Sequence, residues 1–205
     1  EHRFAASSAQ HYAWLEEDDP VLFERMRERI AEGRWEVVGG SWVEPDCNLP
    51  SGEALIRQLA FGLRFLEERF GNRPAVYWSP DTFGHNGQMP QILSSCGMTG
   101  FVTQKLAWNQ FTHPPHNTFR WRGIDGSEVL AHLPPVGTYN AELTPAELRA
   151  SVEEFRDGDR SPRSLLLFGH GDGGGGPTTE ILDRAVRCAD LRGLQAGLGQ
   201  QLPQD

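Results

Sequence analysis

Short runs rich in β-branched and aromatic residues alternate with helix-period segments along almost the whole chain, and each run gives way to a polar loop bearing glycine or proline. The sharpest case lies between residues 35–43 (WEVVGGSWV) and 75–79 (AVYWS), two strand-type segments. Between them Ser51 is placed to cap a long helix and Glu53 to complement its dipole. Leu55, Leu59, Leu63 and Leu66 mark the buried stripe of that helix, until Gly71 and Pro74 stop it. Strand, helix and strand in this order predict an α/β fold built on parallel strands. In such folds the chemistry sits on loops at the carboxyl ends of the strands.

The remaining segments extend the alternation. Residues 3–7 are strand-compatible, and residues 9–17 read as a brief helix that Pro20 interrupts. A second helix opens at Pro20, with Leu22, Met26 and Ile30 as its apolar stripe and Gly33 at its end. Residues 87–95 read as helix and 100–104 as extended, while 118–122 and 128–133 form two strands joined across Asp125-Gly126, a hairpin signal. Thr144 caps a helix with Pro145 at its first position, running towards Arg156. Residues 165–168 (LLLF) are wholly apolar, as suits a buried parallel strand, and a capped helix is expected over 178–189. Residues 193–205 lose helical periodicity and are expected to be a linker or a disordered tail.

The 205 residues are 38% hydrophobic, which suffices for a buried core. Acidic residues outnumber basic ones by 28 to 19, and the net charge of −9 works against binding to nucleic-acid backbones or anionic membranes. No apolar run approaches the roughly 18 residues of a membrane span. Cys47, Cys96 and Cys188 are odd in number and lack CxxC spacing, so neither a disulfide framework nor a thiolate zinc site is expected; a reducing, cytoplasmic setting is compatible. The chain begins at Glu1 rather than Met, within what reads as a helix-to-strand connection, and is expected to be a fragment.

Three loops carry candidate chemistry. Trp78-Ser79-Pro80-Asp81-Thr82-Phe83-Gly84-His85 places a carboxylate, an aromatic ring and an imidazole directly after a strand. Asp81 there has an alternative reading as a helix cap or Asx turn. Phe168-Gly169-His170-Gly171-Asp172 runs into four glycines and Pro177; it lacks the Lys-Ser/Thr of a phosphate loop, and its glycines suit close approach of backbone to a ligand that Asp172 faces. Residues 42–53 (WVEPDCNLPSGE) add carboxylates after another strand, and alone read as a polar turn. His113 and His116, separated by two prolines, read as a solvated loop rather than a metal pair, and His132 as a hydrogen-bonded interior histidine. Tyr139 and Asn140 sit on a further strand-end loop, where they can hydrogen-bond a polyhydroxylated ligand. Two carboxylates on different strand-end loops of one sheet, with aromatics between, is what glycoside hydrolysis requires.

Four stretches then carry a resemblance: SSAQHYAWLEEDDPVLFERMRERIAEGRWEVVGGSWVEPDCNLPSGEALIRQ from Ser7, YWSPDTFGHNGQMPQIL from Tyr77, FRWRGIDGSEVLAHLPPVGTYN from Phe119 and LLLFGHGDGGGGPT from Leu165. With them the chain resembles glycoside hydrolase family 38, the retaining, zinc-dependent α-mannosidases, and more closely the branch with cytosolic and bacterial members. The resemblance implies that residues 1–192 form part of an amino-terminal catalytic (β/α) barrel whose first strand is missing. It implies hydrolysis of terminal α-linked mannose from oligosaccharides or N-glycans, and leaves a homo-oligomeric full-length parent open. Carried over, it makes Asp81 the nucleophile and a zinc ligand, Asp172 the acid/base, Phe83 part of the glycone subsite and Tyr139 a substrate contact, while Asn140 stands where Golgi members have an acidic residue. The family's His-x-Asp strand and a later zinc histidine have no counterpart here. With Asp81 the only expected ligand present, the chain itself is expected to bind zinc weakly and to be inactive. A sugar-binding remnant without catalysis and a metal-dependent polysaccharide deacetylase are the alternative readings.

Overall fold

Ser51 accepts the Ala54 amide at 3.3 Å and so opens helix α3 (Gly52–Phe70), which Gly71 closes in the left-handed conformation at φ 64°. Its stripe is buried as the spacing predicts: Leu55, Leu59, Leu63 and Leu66 are all sequestered, each side chain stabilising by roughly 1.5–3 kcal/mol. The computed structural model describes residues 3–188, in two compact units.

The first unit comprises residues 3–103 and 120–131. In it β1 (Phe4–Ala6) leads through α1 (Ala9–Asp18) and α2 (Pro20–Ala31) to β2 (Trp35–Val37), which pairs with β1 in parallel, Phe4 opposite Trp35. After α3, β3 (Val76–Trp78) leads through α4 (Met89–Ser95) to β4 (Gly100–Val102), again parallel, with Tyr77 opposite Phe101. β5 (Thr118–Arg122) and β6 (Glu128–His132) meet at the expected Asp125-Gly126 turn and complete a sheet of order β3-β4-β6-β5. A mixed α/β architecture with parallel strands is therefore observed. The two sheets are linked where the Gly39 amide donates to the Val76 carbonyl at 3.1 Å. Strand β2 is shorter than residues 35–43 because Gly39 adopts φ 85°, and any Cβ there would lie 2.8 Å from Ser7.

Helix α2 turns Met26 and Ile30 inward as expected, with Phe23 in place of Leu22. Phe23 and Met26 are buried and Ile30 packs beside them, whereas Leu22 is 43% exposed. A strict four-residue repeat advances 400° per step and drifts off one face, while Phe23, Met26 and Ile30 hold the 3.6-residue period. They pack with Ala9, Tyr12, Val37 and Leu66 in one apolar cluster, where the Trp35 indole donates to the Tyr12 hydroxyl at 3.0 Å.

The second unit comprises residues 104–119 and, among those described, 132–188. Thr144 and Glu147 form a reciprocal capping box at α5 (Pro145–Glu153), with Pro145 at the first turn as expected. Helix α6 (Thr179–Cys188) supplies Ile181 to a small core with Leu143 and Leu148. Residues 165–168 do not form the expected buried strand. They are half-buried and extended, and Phe168 makes an isolated bridge to Ala141. An apolar run becomes a ladder only where a neighbouring backbone runs alongside it, and among the described residues the pairing here is an isolated bridge, in which Ala141 bonds Leu167 and Gly169. The expected tail over 193–205 lies outside the described residues.

Candidate active site

In the first unit the loop after β3 carries Asp81 and Phe83. Both are exposed, Phe83 by 70% of its surface. The loop is held from below. Ser79 Oγ donates to Thr82 Oγ1 at 2.8 Å and lies 3.3 Å from His85 Nε2, and a backbone bridge joins Cys47 to His85. The Asn86 side-chain amide donates to the Cys47 carbonyl. His85 packs edge-on against Phe101, centroids 4.9 Å apart; burial pushes its imidazole down to about 4, with the Asp46 charge opposing, so the ring is neutral near pH 7.

The carboxylate that meets this loop is Glu44, from the loop after β2. Its Oε1 accepts the Asp81 backbone amide at 2.8 Å and the Thr82 hydroxyl at 3.1 Å. Burial pushes the Glu44 carboxyl above the ordinary carboxylate value, and the Asp81 and Thr82 hydrogen bonds partly offset this. Residues 42–53 are thus more than the polar turn they suggest in isolation. The readable signal is a glutamate on the loop that follows β2, the strand before β3 in sequence. Asp81 does not cap α4, whose preceding residue Gln88 makes no side-chain cap bond. Burial drives the Cys47 thiol up to about 11, which keeps it protonated near pH 7.

In the second unit Tyr139, Asn140 and Asp172 come together. The Tyr139 hydroxyl donates to Asp172 Oδ1 at 3.0 Å, and the Asn140 amide lies 3.4 Å from Oδ2. Asn140 Oδ1 in turn accepts the Gly171 amide at 2.8 Å, so one asparagine ties both backbone and side chain of the glycine loop. Asp172 sits at φ 52°, and the bridge between His170 and Gly176 folds the glycine run into a closed turn, unlike a linker. Lys105, not anticipated from sequence, lies in a short 3₁₀ turn with its ammonium 3.4 Å from the Trp108 ring centroid and 4.7 Å from that of Tyr139. His132 is the expected interior histidine, its Nδ1 lying 2.8 Å from the Thr118 hydroxyl. His116 departs from the solvated-loop reading: its Nδ1 lies 2.6 Å from Asp157, a carboxylate 2% exposed that also accepts the Asn117 and Thr118 amides.

Among the described residues no group of three or more His, Cys, Asp and Glu side chains is placed to hold a metal ion. A catalytic zinc takes about three protein ligands, so the residues described do not make a zinc centre around Asp81. No described helix is long and apolar enough to cross a membrane.

The chain is 46% identical over 94% of its length to Alpha-mannosidase G of Dictyostelium discoideum, and 46% identical over 93% to Alpha-mannosidase 2C1 of Homo sapiens. It spans 18% of the length of each. In fold it is similar to an alpha-mannosidase from Enterococcus faecalis V583, with a TM-score of 0.59 at 18% identity, covering 84% of this chain and 20% of that one. The model of the glycosyl hydrolases family 38 N-terminal domain matches residues 1–201, and the chain belongs to that family.

Proposed function

We propose that this chain is part of the catalytic domain of an α-mannosidase that removes terminal α-linked mannose from oligosaccharides or N-glycans with retention of configuration. One observation carries the reading: Asp81 stands exposed on the loop after β3, anchored through its own backbone, in a chain 46% identical to proteins named alpha-mannosidases. In the reaction the Asp81 carboxylate attacks the anomeric carbon as the glycosidic C–O bond breaks, and Asp172 gives its proton to the leaving oxygen. A water then attacks the glycosyl-enzyme, Asp172 takes that water's proton, and Asp81 is released. Phe83 offers an exposed ring to the terminal sugar, and Tyr139 and Asn140 orient Asp172. The Gly39 link between the parallel pairs β1-β2 and β3-β4 supports the reading of these strands as part of a (β/α) barrel. The three cysteines, all free thiols, suit a cytoplasmic setting. The same family match disfavours a deacetylase or a non-catalytic sugar-binding remnant.

The complete enzyme depends on zinc in this reading, and Asp81 is the ligand that these residues would contribute. The test is turnover of an aryl α-mannoside by the protein expressed from its complete coding sequence. Asp81→Asn is expected to abolish it. Asp172→Ala should lose about 10²–10⁴-fold on substrates with poor leaving groups. Chelation should remove activity, and zinc should restore it. The chain of residues 1–205 alone should show neither stoichiometric zinc nor turnover. An active Asp81→Asn enzyme would refute the nucleophile assignment.

A further inference from the structure

Asp81 is exposed, and its backbone is held by a side-chain acceptor from elsewhere in the chain. Glu44 lies 37 residues earlier, and one of its oxygens accepts both the Asp81 amide and the Thr82 hydroxyl. The Thr82 hydroxyl also accepts from Ser79, so a relay runs from Ser79 through Thr82 to the Glu44 carboxylate.

The backbone that bears Glu44 is itself fixed on both sides. The Trp42 amide donates to the Gln58 carbonyl of α3 at 2.9 Å, and the Val43 amide to the Gln58 side chain at 3.0 Å. The Trp42 carbonyl accepts the Gln10 amide of α1 at 2.9 Å, and its indole donates to the Gln10 side chain at 2.7 Å. Pro45 is buried next to Glu44, with its carbonyl 3.4 Å from the Thr82 hydroxyl. Two helices thus set Glu44, and Glu44 sets the turn that carries Asp81.

We propose that Glu44 is a positioning residue for the nucleophile: by holding the Asp81 amide and the Thr82 hydroxyl, it fixes where the Asp81 carboxylate stands before attack. This deepens the mannosidase reading and rests on Asp81 being the attacking carboxylate. The nucleophile must lie within about 3–3.5 Å of the carbon it attacks, and a displacement of about 1 Å costs on the order of 10²-fold in rate. Glu44 acts on Asp81 through its backbone, so its value lies in accepting hydrogen bonds. A glutamine, which keeps the acceptor oxygen, should replace it.

The experiment measures kcat, KM and melting temperature for Glu44→Gln, Glu44→Ala and Thr82→Val in the protein from the complete coding sequence, with an aryl α-mannoside. Glu44→Ala is expected to lower kcat 10- to 100-fold with KM changed less than about threefold, and Glu44→Gln to recover kcat to within about threefold of the parent. Thr82→Val leaves the Asp81 amide bonded and should fall between them. Should Glu44→Ala fail to fold, the Gln and Val variants still decide. Glu44→Gln as impaired as Glu44→Ala, or Thr82→Val where Ala is absent, overturns the proposal by showing that charge is what is needed. A pure rise in KM also overturns it, because Glu44 would then be touching substrate. The two readings separate cleanly: an active parent with a dead Asp81→Asn and an undiminished Glu44→Ala sinks this proposal alone, whereas an active Asp81→Asn removes both.

Discussion

The Tyr139 hydroxyl and Asp172 Oδ1, 33 residues apart in sequence, are joined by a 3.0 Å hydrogen bond, and Asn140 approaches the other carboxylate oxygen at 3.4 Å. A carboxylate held at both oxygens has its direction set, which a proton donor to a leaving group needs. Replacing Tyr139 by Phe removes one of the two contacts that set the direction of Asp172, and misdirection of a reacting group can cost up to about 10²-fold in rate. The expected result is a fall in kcat of about 10- to 100-fold on alkyl or oligosaccharide leaving groups, and little change on a dinitrophenyl mannoside, which leaves without protonation. A series of leaving groups measures this. Equal losses across the series would mean that Tyr139 serves the sugar and not Asp172.

His132 gives a pH dependence with a definite sign. Burial pushes its imidazole down to about 4, with the Asp157 charge opposing, and Nε2 has no hydrogen-bond partner among the described residues. The unfolded chain takes up this proton near pH 6.5, so the neutral ring's contribution to stability is complete above that value and is lost as pH falls towards 4. The slope is at most about 1.4 kcal/mol per pH unit. Urea midpoints compared at pH 7 and pH 5 should drop for the parent and drop less for His132→Gln. Identical drops would show that His132 is not the group responsible.

Gly62 lies in the middle of α3, where alanine ordinarily favours the helix by about 1 kcal/mol. The opposite is expected here. A Cβ at this position would lie 2.4 Å from the Gly40 carbonyl oxygen and 2.5 Å from the Ser41 carbonyl carbon, and backbone atoms cannot swing aside as a side chain does. Gly62→Ala should therefore destabilise by about 1–3 kcal/mol, read as a lower denaturation midpoint. A midpoint unchanged or raised would mean that the segment before Glu44 moves freely.

Much of the fold was legible because it is decided within one or two turns of chain. Ser51 with Ala54, Thr144 with Glu147, and the Asp125-Gly126 turn are encounters between residues a few positions apart. The leucine stripe of α3 follows from helical period alone. The alternation of strands and helices also placed Asp81 and Asp172 on loops, because loops follow the ends of elements that periodicity marks.

What tertiary structure decided were pairings between backbones and side chains far apart in the chain. Residues 165–168 have the local properties of a buried strand, yet among the described residues their backbone pairing is a single isolated bridge to Ala141, and a ladder needs a longer neighbour. Phe23 and not Leu22 faces the core because the rotation of α2 is set by the surface it meets. His116 finds Asp157 across 41 residues and Glu44 finds the Asp81 amide across 37. The sequence by itself determined the kinds of element, the caps that bound them and the loops that carry carboxylates, since these depend on local torsions and periodicity. Only the folded chain decided which donor each buried carboxylate would accept, because a hydrogen bond requires atoms within about 3 Å and separation along the sequence does not encode that proximity.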